Sequence, residues 1–323
     1  MHLQLTLTAN NKKEEGDNTM KSRIITIALM IVAFGSTNTF AQNLAAPYLL
    51  FSNSVEGTGF GSAYTSLADD ASSTYWNPAG LSEIRSYSFS SLASIGLGLD
   101  RNFNSASFAM RMPLGVIAAS FSASGVTDID QYSDANIKTG TFNVVNTVAG
   151  FSYSARANEN ISVGATVRYI NQNLNAFTDN GYTVDLGTRY KLPFAGQNLL
   201  ISGVMQNIVG ELGVNELPKV LRIGLGMNLA GGFIADIDFV HEDLFGSGAR
   251  KMLNYGAGYR AKFQDNFVVN THAGITDSRY LSAGLGLGIQ IMKMEFVVDY
   301  AFVNEPSIIF GQSHRVGLSL NGF

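Results

Sequence analysis

Asp69-Asp70-Ala71-Ser72-Ser73-Thr74-Tyr75-Trp76-Asn77-Pro78-Ala79-Gly80-Leu81 divides this chain into two kinds of sequence and carries its only tryptophan. Upstream, from residue 42, the sequence is irregular and glycine-bearing. Downstream, alternating apolar segments run to Phe323. Within the stretch, Asp69-Asp70 followed by small residues fits a helix N-cap, where acidic oxygens take orphan amide protons. Asn77-Pro78 stops a helix and favours a turn, and Ala79-Gly80-Leu81 lets backbone pass close to another surface. Asp69 and Asp70 make a poor acid–base pair, because neighbouring side chains diverge. The stretch is therefore read as the end of an N-terminal plug, 42–85, and the hinge into a barrel wall, 86–323.

The wall is legible as a period of two. Tyr87, Phe89, Ala93 and Ile95 share one face, with Ser86, Ser88, Ser90 and Ser94 on the other. Further on, Leu221, Ile223, Leu225, Met227 and Leu229 alternate with Arg222, Gly224, Gly226 and Asn228. Such segments recur around Phe108 and Met110 and over Leu114–Ser124, 142–155, 160–172, 180–192, 197–209, 218–229, 233–240, 250–261, 265–276, 279–291, 292–303 and 312–323, and give about fourteen strands. Long connections mostly follow odd strands, at 125–141, 173–179, 209–217, 241–249 and 304–311. Shorter ones, such as Met112–Gly115, follow even strands. An even-stranded antiparallel transmembrane β-barrel with both termini periplasmic requires this alternation, and a secreted sandwich has no reason to show it.

Composition points the same way. Charged residues make up 14% of the chain, well below a soluble domain's usual quarter. A net charge of −4 without a long basic run argues against nucleic acid. The absence of cysteine excludes disulfides, thiolate metal sites and a lipoprotein anchor. Near the start, Lys21 and Arg23 precede the apolar run Ile24–Phe34, and Thr39-Phe40-Ala41 follows. This is the layout of a signal peptide over 20–41, with 1–19 a mis-assigned extension, and the run is too short to span a membrane as a helix. The expected location is the bacterial outer membrane, with its lipid around the wall.

Gly61-Ser62-Ala63-Tyr64-Thr65-Ser66-Leu67-Ala68, continuing through Asp69 to Leu81, resembles the N-terminal signature of PorV/PorQ-like outer-membrane proteins, a branch similar to the FadL-type transporters of hydrophobic compounds. Trp76, Asn77, Pro78, Ala79 and Gly80 match the plug motif. The close match covers about twenty residues. One departure is that many relatives place an arginine among small residues where this chain has Val55-Glu56-Gly57. The branch implies an accessory of type IX protein secretion that binds cargo or partner subunits, for which Pro306, Ile308, Ile309 and Phe310 form a candidate contact loop. The wider group implies uptake of a hydrophobic small molecule instead, along a path lined by Leu49, Leu50, Phe51 and Phe60.

Arg168, Asp185, Arg189, Arg222, Asp236, Asp238, Glu295 and Asp299 fall on the inward register. They are read as a paired lumen filling that clamps the plug in preference to a polar substrate path. The stripe Gly284, Gly286, Gly288 marks close approach or bending. Asp128, Asp130 and Asp134 lack the turn glycine and terminal acid of a calcium loop. His241, His272 and His314 lack metal-ligand spacing, and no Gly-x-Ser-x-Gly elbow occurs. The expectation is a non-enzymatic barrel without metal or cofactor.

Overall fold

The computed structural model describes residues 46–95, 97, 101–175, 177–194, 197–244, 249–263, 266–277, 280–304 and 312–323. The signal-peptide stretch 20–41, the extension 1–19 and the loop carrying Pro306, Ile308, Ile309 and Phe310 lie outside the described residues.

Among the described residues, fourteen strands make the wall: β1 Tyr87–Ile95, β2 Arg101–Met112, β3 Gly115–Tyr132, β4 Lys138–Arg156, β5 Ile161–Leu174, β6 Phe177–Phe194, β7 Gln197–Gln206, β8 Val220–Asn228, β9 Phe233–Glu242, β10 Arg250–Phe263, β11 Phe267–Thr276, β12 Leu281–Ile291, β13 Met294–Asn304 and β14 Gln312–Gly322. Each pairs antiparallel with the next. β1 also pairs with β14, Phe89 opposite Leu320 and Ser90 opposite Ser319, so the sheet closes and no edge remains. Closure satisfies the backbone through the ladder alone, as a lipid environment demands. The outer face bears the apolar phase of each strand, with Phe108, Phe121, Phe151, Leu186, Leu287 and Phe296 all exposed. In β8 the pattern is strict: Val220, Arg222, Gly224 and Gly226 are buried, and Leu221, Ile223, Leu225 and Met227 are only partly covered. The chain is a transmembrane β-barrel.

Two stretches read as long loops are strand instead. The polar residues 125–141 mostly continue β3 and β4, with Ile129 opposite Phe142 across a bulge, and only 133–137 turn. The 173–179 loop shrinks to a turn beyond Leu174–Phe177. Polar side chains hid these strands, but a ladder is held by backbone groups and tolerates them once water covers both faces. The 19 residues of β4 span about 60 Å at ~3.3 Å each, far more than a ~25 Å apolar band needs. This hairpin therefore rises well above the rest of the wall. At the opposite end no bulge shifts β14: Asn321 pairs with both Ser88 and Glu295. Phe323 thus stays out of phase with Val316, Leu318 and Leu320, and packs under the Arg85 guanidinium, 5.7 Å away.

Residues 46–84 lie inside the ring, as short helical turns at Pro47–Leu50, Val55–Gly59, Ser73–Trp76 and Pro78–Glu83. The buried apolar clusters form between this inner segment and the wall. Tyr48 and Leu49 meet Val148, Ile170, Leu212 and Leu217 at the long-loop end. Phe60, Leu67 and Trp76 meet Leu200. Leu81 and Ile84 meet Ala109, Val116 and Ala118 near the short turns.

Candidate functional site

The lumen is the candidate site, and its geometry begins with how the inner segment is held. Asp236 and Asp238 alternate with Ile237 on β9 and so both face inward. Asp238 Oδ2 accepts from Tyr64 N at 3.1 Å, Thr65 N at 3.0 Å and Thr65 Oγ1 at 2.6 Å. Asp236 Oδ2 accepts from Ser66 N at 3.1 Å. Two buried carboxylates thus accept from the backbone donors of one turn, Tyr64 to Ser66.

Every residue of the Trp76–Gly80 motif has a physical task. Trp76 is 1% exposed. Its Nε1 donates to Ser54 Oγ at 2.9 Å, the same oxygen that caps the Val55–Gly59 turn by accepting from Gly57 N. Arg222 lies over both Tyr75 and Trp76, 5.7 and 5.5 Å from their ring centres. Asn77 Oδ1 accepts from Ala79 N at 3.1 Å, and Nδ2 donates to Thr65 O and Thr188 O at 3.2 Å each. Pro78 starts the next helical turn, where its missing N–H costs nothing. A Cβ on Gly80 would sit 2.1 Å from Ala68 O. The wall answers with glycine: a Cβ on Gly164 would lie 2.3 Å from Pro78 C, and one on Gly187 2.3 Å from Asn77 Oδ1.

All eight inward charges read from the sequence are buried in the lumen. Arg168 pairs with Asp185 at 2.7 Å, Arg260 donates to Glu295 at 2.7 Å, and Arg189 donates to Ala68 O. Asp299 Oδ2 accepts from Ser319. Asp70 Oδ1 accepts from Ser72 N at 2.9 Å, one residue before the Ser73–Trp76 turn. At the short-turn end, Lys191 pairs with Glu83 at 2.5 Å, and Arg111 Nε donates to Ile84 O at 2.6 Å.

The four residues read as a hydrophobic path separate. Leu49 and Phe51 line one small cavity. Leu50 turns its carbonyl to Tyr75 Oη at 2.8 Å. Phe60 lies on the other side of the lumen, stacked on His272 with ring centres 5.4 Å apart, in a slot formed by Gly256, Gly258 and Gly274. It is packing there and does not border the cavity. The stripe Gly284, Gly286, Gly288 makes room for the wall side chains of His272, Asp299 and Val297.

The cavity has a volume of about 40 Å³ and lies between residues 48–53, Thr74 and Tyr75 and β2 to β5. Phe51 meets Phe103 edge-on at 5.4 Å, and with Leu49 and Val148 they give it an apolar side. Ser105, Ser107, Ser120 and Ser122 give it a hydroxyl side. Sequence reasoning passed over these serines. Their signal was the same alternation that located the strands, read on the polar phase.

No protein-family model and no curated protein matches the chain. Solved structures do match in fold. The Ralstonia pickettii toluene transporter TbuX aligns with a TM-score of 0.58 at 12% identity, over 84% of this chain and 98% of that one. The monoaromatic hydrocarbon channel CymD gives 0.55 at 13%, over 88% and 99%. The Pseudomonas putida toluene transporter TodX gives 0.54 at 11%, over 83% and 98%. At 11–13% identity these likenesses show a shared fold alone, and they add no support to the PorV/PorQ branch.

Proposed function

We propose that this chain is a non-enzymatic outer-membrane channel for the uptake of small hydrophobic molecules. The observation that carries the reading is the small, partly apolar space left beside an inner segment that otherwise fills a closed, lipid-facing barrel. The likeness in fold to transporters of toluene and other monoaromatics supports transport over the secretion-accessory reading, which rests on the twenty-residue motif alone. At about 40 Å³ the space holds two or three waters. An engineered cavity that admits benzene measures ~150 Å³, so a ring enters this space only if its lining moves. Residues 46–53 are the part that yields. Apart from apolar packing they are tied to their surroundings by single contacts such as Tyr75 Oη to Leu50 O and Ser105 Oγ to Asn53 O, at 2.8 and 3.1 Å. Residues 64–84 are fastened by the Asp236–Asp238, Asn77 and Glu83 contacts and act as a fixed seal.

The test is entry of radiolabelled toluene into cells that express the chain, against matched cells that lack it. Entry at least about threefold faster is expected. Equal entry, with the barrel folded in the outer membrane, overturns the proposal.

A further inference from the structure

The long-loop end of the lumen is covered by a piece of the wall itself. Between β7 and β8 the chain folds inward as a small hairpin, with Glu211–Leu212 against Asn215–Glu216. Leu212 and Leu217, 3% and 2% exposed, share one apolar cluster with Ala46, Tyr48 and Leu49 of the inner segment. The hairpin therefore lies over the start of that segment, the part with the fewest polar ties.

The base and the tip of this hairpin are held by different forces. At the base, Asn207 is buried and joins both ends of the loop to the wall. Its N donates to Asp185 Oδ1 at 2.8 Å, its Oδ1 accepts from Arg168 Nη2 at 2.9 Å, and its Nδ2 donates to Pro218 O at 2.8 Å. Buried bonds to a carboxylate and a guanidinium are the strong kind, so the base is fixed. Beyond it, the hairpin pairs with β6 at one position, Leu212 opposite Gly181. Glu211 sits directly opposite Glu216, and like charges across a ladder repel. Gly210 and Gly213 have φ of +121° and +61°, angles that favour glycine and mark where the chain bends. Glu211, Gly213 and Glu216 border an open groove of about 660 Å³ against Asn180, Gly181 and Tyr182, and neither leucine does. Space thus lies on one side of the hairpin and apolar contact on the other. Burial of two leucines is the main force that holds the tip down.

We propose that residues 210–217 are a hinged lid over the outer end of the lumen, fixed at Asn207 and Pro218 and latched by Leu212 and Leu217, and that its opening admits what the barrel takes up. The lid follows from the hairpin's own contacts, and its part in entry rests on the uptake reading. Loosening a latch speeds entry, whereas damage to a merely structural loop slows it.

The chain has no cysteine, so one introduced thiol reports alone. Ala46→Cys places it in the cluster under the hairpin, at a residue 3% exposed. Intact cells expressing the full chain are treated with a membrane-impermeant maleimide, and the labelling rate is followed. Leu212→Ala and Leu217→Ala should each speed labelling about tenfold, as expected when most of a buried leucine is lost, and should raise toluene entry. Val214→Ala, at the exposed tip, should change neither. Labelling that is unmoved by both leucine variants, or moved equally by Val214→Ala, overturns the latch. The converse lock is Asp179→Cys with Gly213→Cys in the otherwise unaltered chain. A Cβ on Gly213 would lie 2.9 Å from Asp179 Cγ, which brings the two sulfurs within bonding reach. With the disulfide formed, toluene entry should fall at least about fivefold and return on reduction, since a lid locked shut has no open population. Undiminished entry through the oxidised barrel overturns the lid as the route and leaves uptake standing. Labelling that responds as expected, with no toluene entry by any form of the chain, removes the uptake reading and leaves the lid. The two arms use separate variants, so each is read whether or not the other's variant folds.

Discussion

The two halves of the lumen wall meet the same inner segment in opposite ways. On β8 to β12 the inward positions nearest the segment are glycines and carboxylates, and backbone lies on backbone. On β2 to β4, beside residues 46–53, they are largely serines, and a space remains; further along the lumen, Gly164 of β5 again brings the wall against the backbone of Pro78. The reason is side-chain volume combined with hydrogen-bonding reach. Glycine lets a carbonyl or an aromatic ring come within contact of the strand, and aspartate then secures the donors brought there. Serine holds the segment one side chain away, while its hydroxyl is too short to fill the gap. The first half fixes the segment and the second leaves it somewhere to move.

A matched pair of methyl groups is the severest way to break this comparison. A Cβ on Gly274 would fall 2.2 Å from Phe60 C and 2.3 Å from Gly61 N, both backbone. Gly274→Ala should therefore cost about 2–4 kcal/mol, since neither chain can yield cheaply. Urea unfolding in lipid vesicles, followed by Trp76 fluorescence, measures it. Next comes Asp238→Ala, which strands two amides and a hydroxyl of Tyr64 and Thr65. A loss of about 3 kcal/mol is expected from the same titration, with faster proteolysis around residue 65. Asn77→Ala removes the cap on Ala79 and the ties to Thr65 and Thr188, and should cost about 2 kcal/mol. Smallest of all is Ser120→Thr, which adds its methyl on the side that has room. A change within about 0.5 kcal/mol is expected. If Ser120→Thr destabilised as much as Gly274→Ala, the difference between the two halves would be wrong.

Much of this was readable beforehand. The strand count, the closed antiparallel wall and the inward placement of Arg168, Asp185, Arg189, Arg222, Asp236, Asp238, Glu295 and Asp299 all follow from a period of two, which depends only on adjacent residues along one strand. The tall β3–β4 hairpin was not readable, because alternation of apolar residues fades where water covers both faces. Nor was the separation of Phe60 from Leu49 and Phe51. All three are apolar residues of one short segment, and nothing local says that one stacks on His272 of β11 and the others face β2 and β4.

The sequence by itself determined which side chains point into the barrel, because a strand cannot choose a face without reversing its neighbours. Only the tertiary structure decided which inward residues meet. The partners Asp238 and Thr65, or Arg189 and Ala68, are set by the closure of fourteen strands around a segment from the other end of the chain. The register of that closure is a property of the whole ring.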